Sequence, residues 1–165
     1  MSEKNYIQIL EDSLEKKIDV LRQLQVLCQE QANILQDDGS TPEAFEENID
    51  RKGQLIEHLE RLDQGFEQLF AKVEQTLEAD RDQYADAIRH MQEMIREITQ
   101  RSSNLQVLEK QNSELAKAKF SQIRTQTKEI RQSRKVVNSY YQNILIFVLS
   151  KWIQLSVVKT QKRLC

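Results

Sequence analysis

From Phe45 to Leu77 the chain advances in alternating steps of four and three residues, through Phe45, Ile49, Ile56, Leu59, Phe66, Phe70, Val73 and Leu77, with Lys52 and Asp63 filling two positions of the series. That spacing predicts a long helix with one buried seam. Leu55, Leu62 and Leu69 each stand one residue before a seam position and widen the apolar stripe. A wide stripe needs two neighbours, so the segment reads as a bundle helix rather than half of a two-stranded coil. Lys52 and Asp63 are eleven residues apart on this one helix and do not pair with each other. They read either as register-setting polar positions or as charged side chains that reach past the seam into solvent.

The same rhythm flanks this segment on both sides. A first helix is predicted from Lys4 to Gln36, with Ile7, Leu10, Leu14, Leu21, Leu24, Cys28 and Leu35 on one stripe and Lys17 and Gln31 at its remaining seam positions. Asp37 to Pro42 ends it: Gly39 permits a left-handed cap, and Thr41-Pro42 supplies an N-cap followed by proline at the first helical position. The second helix then runs over residues 42–78. No Gly or Pro follows Gly65, and the best candidate for a second reversal is Ala79 to Asp82, with Asp80 as the cap of a third helix over 80–141. Its stripe starts at Tyr84, continues through Ile88, Met91, Ile95, Ile98, Ser102 and Leu105, thins over Glu109 to Glu114, and returns at Leu115, Phe120, Ile123, Ile130 and Val137.

At about 1.5 Å per residue the three helices would be roughly 50, 55 and 90 Å long, so the third overhangs the others. The fold class is therefore all-α: an elongated antiparallel bundle of three long helices over residues 1–143. The third helix either stays extended or folds back as a fourth. From Leu115 onward its apolar stripe has no obvious cover in the chain.

Composition supports a helical bundle: 30% of the 165 residues are charged, 6% are aromatic, and there are only three glycines and one proline. Charge is unevenly spread. Residues 1–129 hold 17 Lys and Arg against all 26 acids, a net of −9, whereas residues 130–165 hold seven basic residues and no acid. A pI near 5.8 gives no support for nucleic acid as a partner. The segment 144–165 is atypical, apolar at first and then basic, but Lys151 and Gln154 interrupt it well short of the roughly 20 apolar residues a spanning helix needs. It reads as a partner-docking or membrane-surface segment, or as a C-terminus altered by a change of reading frame.

Candidate chemistry is sparse. Cys28 and Cys165 are too few for a disulfide framework, and the acidic N-terminus lacks a signal-peptide core, so a cytoplasmic location is expected. Phosphate loops, nucleophile elbows and metal-ligand spacings are missing from the sequence, and an enzyme or a cofactor is not expected. His58 and His90 fall on outward positions far apart along the bundle and read as surface residues. Tyr140 and Tyr141, beyond the basic run Arg131 to Lys135, either anchor an interface or close the end of the bundle.

The stretches Asp50-Arg51-Lys52-Gly53-Gln54-Leu55-Ile56 and Leu59-Glu60-Arg61-Leu62-Asp63-Gln64-Gly65-Phe66-Glu67, with Glu129-Ile130-Arg131 and Ser139-Tyr140-Tyr141-Gln142-Asn143, resemble the FlgN-type flagellar export chaperones, particularly those of clostridial-type bacteria. The resemblance implies a cytoplasmic chaperone without catalytic activity. Such a protein binds the C-terminal helical segment of hook-filament junction subunits and delivers them to the type III export gate. It implies Leu115, Phe120, Ile123, Ile130 and Val137 as substrate-binding residues, and Tyr140 or Tyr141 as the contact to the gate. Residues 144–165 depart from the family pattern. Two other classes remain open at this point: a coiled-coil scaffold or homo-oligomer, with the chain a monomer or a dimer, and a small membrane tether attached through 144–165.

Overall fold

The computed structural model describes residues 2–126. Three helices account for nearly all of them: α1 (Glu3–Gln36), α2 (Pro42–Ala79) and α3 (Ala85–Gln126). At about 1.5 Å per residue they are roughly 51, 57 and 63 Å long, which makes an elongated rod. The chain runs up, down and up. Thr76 Oγ1 donates to Glu3 Oε1 at 3.0 Å, and Asn48 Nδ2 donates to the Leu27 carbonyl at 2.9 Å, so α2 lies antiparallel to α1. Lys119 Nζ reaches the Ile34 carbonyl while Glu11 sits beside His90, so α3 runs parallel to α1.

α1 packs against both of the other helices, and its sequence shows why. Besides the predicted seam it buries Ile18, Val20 and Leu27, which gives it two adjoining apolar faces. Every predicted seam residue of α2, from Phe45 to Leu77, is buried, and Leu55, Leu62 and Leu69 lie half-buried against the core. Aromatic stacking reinforces the α2 stripe, with the Phe66 and Phe70 rings nearly parallel at 5.9 Å.

Both turns differ in detail from the sequence expectation. No described glycine has a positive φ, so α1 does not end in a left-handed glycine cap. Asp37 ends it in an extended conformation. Its carboxylate accepts from Gly39 N–H at 2.9 Å, and Ser40 Oγ donates to the Ile34 and Asp37 carbonyls at 2.6 and 2.8 Å. A side-chain turn thus does the work assigned to glycine. Thr41 caps α2 as predicted, accepting from Ala44 N–H at 3.2 Å, with Pro42 behind it. At the second reversal Asp80 is the C-cap of α2 rather than the N-cap of α3: residues 80–84 form turns, and α3 starts at Ala85. Backbone donors from Gln83 and Tyr84 to the Asp80 carbonyl hold that reversal.

Candidate functional site

The core of this rod is crossed by two levels of buried charge. At the first, Lys17 Nζ lies 2.6 Å from Asp63 Oδ1, joining α1 to α2 with side chains only 5% and 10% exposed. At the second, Lys52 of α2 pairs with Glu109 of α3, and both are fully buried. Lys52 Nζ also donates to Gln31 Oε1 at 3.2 Å, the Cys28 thiol donates to Glu109 Oε1 at 3.0 Å, and Asn112 Nδ2 donates to Gln31 Oε1 at 3.1 Å and to the Cys28 carbonyl at 2.8 Å. This second level ties all three helices together. The alternative in which Lys52 and Asp63 reach solvent is thereby corrected: each meets an opposite charge inside the seam, and they do not meet one another.

Burial has measurable electrostatic consequences. Loss of hydration pushes the Lys17 ammonium below its ordinary pKa of 10.5, and the Asp63 carboxylate offsets only part of that. Burial also pushes the Cys28 thiol well above its ordinary 9.0; nearby Lys52 opposes the rise, and Glu109 adds to it. Such pairs contribute little net stability, because desolvating two charges cancels most of their attraction. Their value lies in register. A one-heptad slip of any helix would leave an ammonium or a carboxylate facing leucines.

Glu109 was missed by pattern reading, which took residues 109–114 as a thinning of the apolar stripe. The signal was present in the spacing. Ile98, Ser102, Leu105, Glu109, Asn112 and Ala116 continue the four-three rhythm, and all are buried. Within the polar run Glu109, Asn112 and Ser113 are therefore seam, while Lys110, Gln111 and Glu114 are exposed.

The end of α3 carries the sequence-predicted binding stripe. Leu115 and Phe120 are half-buried against the core, and the Phe120 ring meets Phe45 edge-on at 5.8 Å. The expectation that the stripe lacks a partner from Leu115 onward is corrected for these two residues, which the α1–α2 end of the rod covers. Lys119 fixes the level. Its ammonium donates to the Asp37 carbonyl at 2.7 Å, the Ile34 carbonyl at 3.2 Å and Ser40 Oγ at 2.9 Å. The last turn of α1 has no basic residue of its own, so a cation from α3 satisfies its terminal carbonyls. Ile123 is half-buried on the next turn. Ile130, Val137, Tyr140 and Tyr141 lie outside the described residues, as does the segment 144–165.

A family model described as FlgN protein matches residues 1–143. The chain belongs to the FlgN family. No curated protein and no solved structure matches it. FlgN proteins are flagellar export chaperones, which places this chain among the chaperones of flagellar export. Nothing in the described site is arranged against that role. His90 Nδ1 lies 3.1 Å from Glu11 Oε1, while His58 lines the groove between α1 and α2 beside Val26, at a different level of the rod. Among the described residues there is no cluster able to hold a metal, and no helix long and apolar enough to cross a membrane.

Proposed function

We propose that this FlgN-family chain is a cytoplasmic chaperone for hook-filament junction subunits, masking their C-terminal helical segment and presenting them to the export gate. The observation that carries this reading is the placement of α3. Lys119 and Phe120 are level with the α1–α2 turn, and α3 continues to Gln126, about 9 Å further on. In the sequence the apolar stripe runs on from Ile123 to Ile130 and Val137, a pattern suited to an amphipathic helix from a subunit that has not yet assembled. Leu115 and Phe120 anchor the base of that stripe to the bundle, and Tyr140 and Tyr141 are the residues proposed to meet the gate.

Co-purification tests the reading. The chain is expected to retain a junction subunit and to lose it when the subunit's C-terminal helix is deleted. Ile123→Asp with Ile130→Asp should weaken capture of the intact subunit without lowering the unfolding midpoint of the bundle. Equal retention of the truncated subunit would refute the assignment. Tyr140→Ala with Tyr141→Ala should leave capture intact and reduce export.

A further inference from the structure

The groove between α1 and α2 is a second feature of this surface that the end of α3 does not use. It opens into hollows of about 480 and 300 Å3 that follow one another along α1 from Ile9 to Leu27, and among the described residues no part of α3 lines either. Its α2 wall presents Leu55, Leu62 and Leu69 at seven-residue intervals, half-buried. On the α1 side, Ile9 is 43% and Val26 62% exposed at the two ends. Between them Gly65 sits in the middle of α2, where a Cβ would meet nothing within 4 Å. A mid-helix glycine costs about 1 kcal/mol relative to alanine, and packing among the described residues gives no reason for it. Close approach of another backbone is one.

Charge indicates the visitor. The described body is strongly acidic, yet the residues lining the two hollows include Lys16, Arg51 and Arg61 and one carboxylate, Asp12, with Asp19 beside them, bonded to Gln23. Arg51 is shared with the exposed Glu30 at 3.4 Å. The cations of Lys16 and Arg61 flank the hollow that holds Gly65. We propose that this groove docks an acidic amphipathic helix from a partner protein, about 18 residues long to match the span from Ile9 to Val26. Its apolar face would rest on the leucines, and its carboxylates would meet Lys16 and Arg61. The chain's own residues 144–165 are a poor match, since they carry four basic residues and no acid. This surface is independent of the junction-subunit reading, which rests on α3.

The test uses the full chain and two fluorescein-labelled 18-residue peptides, each with leucine on one helical face. The first has glutamate on the other face, and the second has lysine there. Anisotropy is expected to show binding of the glutamate peptide, weakened by salt, with the lysine peptide binding roughly tenfold more weakly or not at all. Lys16→Glu with Arg61→Glu should reverse that preference, whereas Lys110→Glu on the exposed face of α3 should leave it unchanged. Gly65→Leu should abolish binding while keeping or raising the melting temperature, because the site is exposed and leucine favours helix. Junction-subunit capture should survive in both groove variants. Equal affinity for the two peptides, or glutamate-peptide binding indifferent to Gly65→Leu, would overturn the proposal. So would a dimer of the free chain that Gly65→Leu disperses, which would make a second copy the occupant. Tighter peptide binding after removal of residues 144–165 would likewise overturn it by making the chain's own tail the occupant.

Discussion

Removing the ammonium of Lys52 while keeping its stem, as Lys52→Met, leaves the Glu109 carboxylate fully buried without its countercharge. Breaking one side of a buried pair typically costs about 3–5 kcal/mol, set against a total stability of about 5–15 kcal/mol for a domain of this kind. Adding Glu109→Leu removes the stranded charge. What then remains is small: the Cys28 thiol loses its acceptor, but it is a weak donor, and Gln31 Oε1 keeps its bond from Asn112. The double variant should therefore return to wild-type stability or exceed it by about 1–4 kcal/mol. Urea unfolding followed by far-UV circular dichroism measures all four members of the cycle. If Lys52→Met costs less than about 1 kcal/mol and Glu109→Leu restores nothing, the pair is not the desolvated contact described here. The corresponding cycle at Lys17 and Asp63 should be additive with this one to within about 0.5 kcal/mol, because eleven residues, about 17 Å, separate the two levels along α2.

Four further outcomes follow from the same geometry. In a Cys165→Ser background the buried, raised-pKa thiol of Cys28 should react with an aromatic disulfide reagent only as fast as the bundle opens, with urea accelerating labelling; rapid labelling of the native protein would contradict its burial. Above pH 9.0 the unfolded chain loses the Cys28 proton while the folded chain keeps it, so stability falls as pH rises, by at most about 1.4 kcal/mol per unit, and Cys28→Ala should remove that loss. Lys17 has the opposite sign. Between its lowered folded-state value and 10.5 the unfolded chain binds the extra proton, so stability rises with pH there, and in Cys28→Ala this rise should become visible in denaturant titrations. Finally, Lys119→Met withdraws a cation from the C-terminal carbonyls of α1 and should cost about 1.5–3 kcal/mol, with faster amide exchange around residues 34–40 as its local signature.

Periodicity made the scaffold legible and left the polar interior hidden. The seam of α2 was readable position by position because alternating steps of four and three over nine intervals have no other structural meaning. The first turn was readable in place because Thr41-Pro42 marks a helix start, but Gly39 drew attention away from Asp37 and Ser40, whose side chains hold the turn. The second reversal contains no glycine or proline, and Asp80 can cap either the helix before it or the one after. Propensity cannot choose between them. Glu109 and Asn112 were hidden for a different reason: a hydropathy pattern treats every polar residue as outward-facing. A buried salt bridge is a property of two positions, here 57 residues apart, and only a rule that seeks complementary residues at matched seam levels would find it.

The placement of the charges bears on how an elongated chaperone keeps its helices in register. Leucine-rich seams repeat every seven residues, so apolar packing alone distinguishes poorly between registers one heptad apart. A slip of that size would move the end of α3 by about 10 Å relative to the α1–α2 turn. Within the bundle interior and at the end of α1, three contacts help to set the axial position of α3: Lys52 with Glu109, Asn112 with Gln31 and the Cys28 carbonyl, and Lys119 with the α1 carbonyls. All three lie in the second half of α3, between residues 109 and 119. The first half, from Ile88 to Leu105, has a buried seam that is apolar except for Ser102, and its polar contacts to α1, His90 with Glu11 and Glu97 with Arg22, lie at the margin. The fully buried charge pair of α3 therefore lies next to the segment where the proposed binding stripe begins. Buried charges that add little to stability thus stand close to Ile123, where an axial error of α3 would displace it.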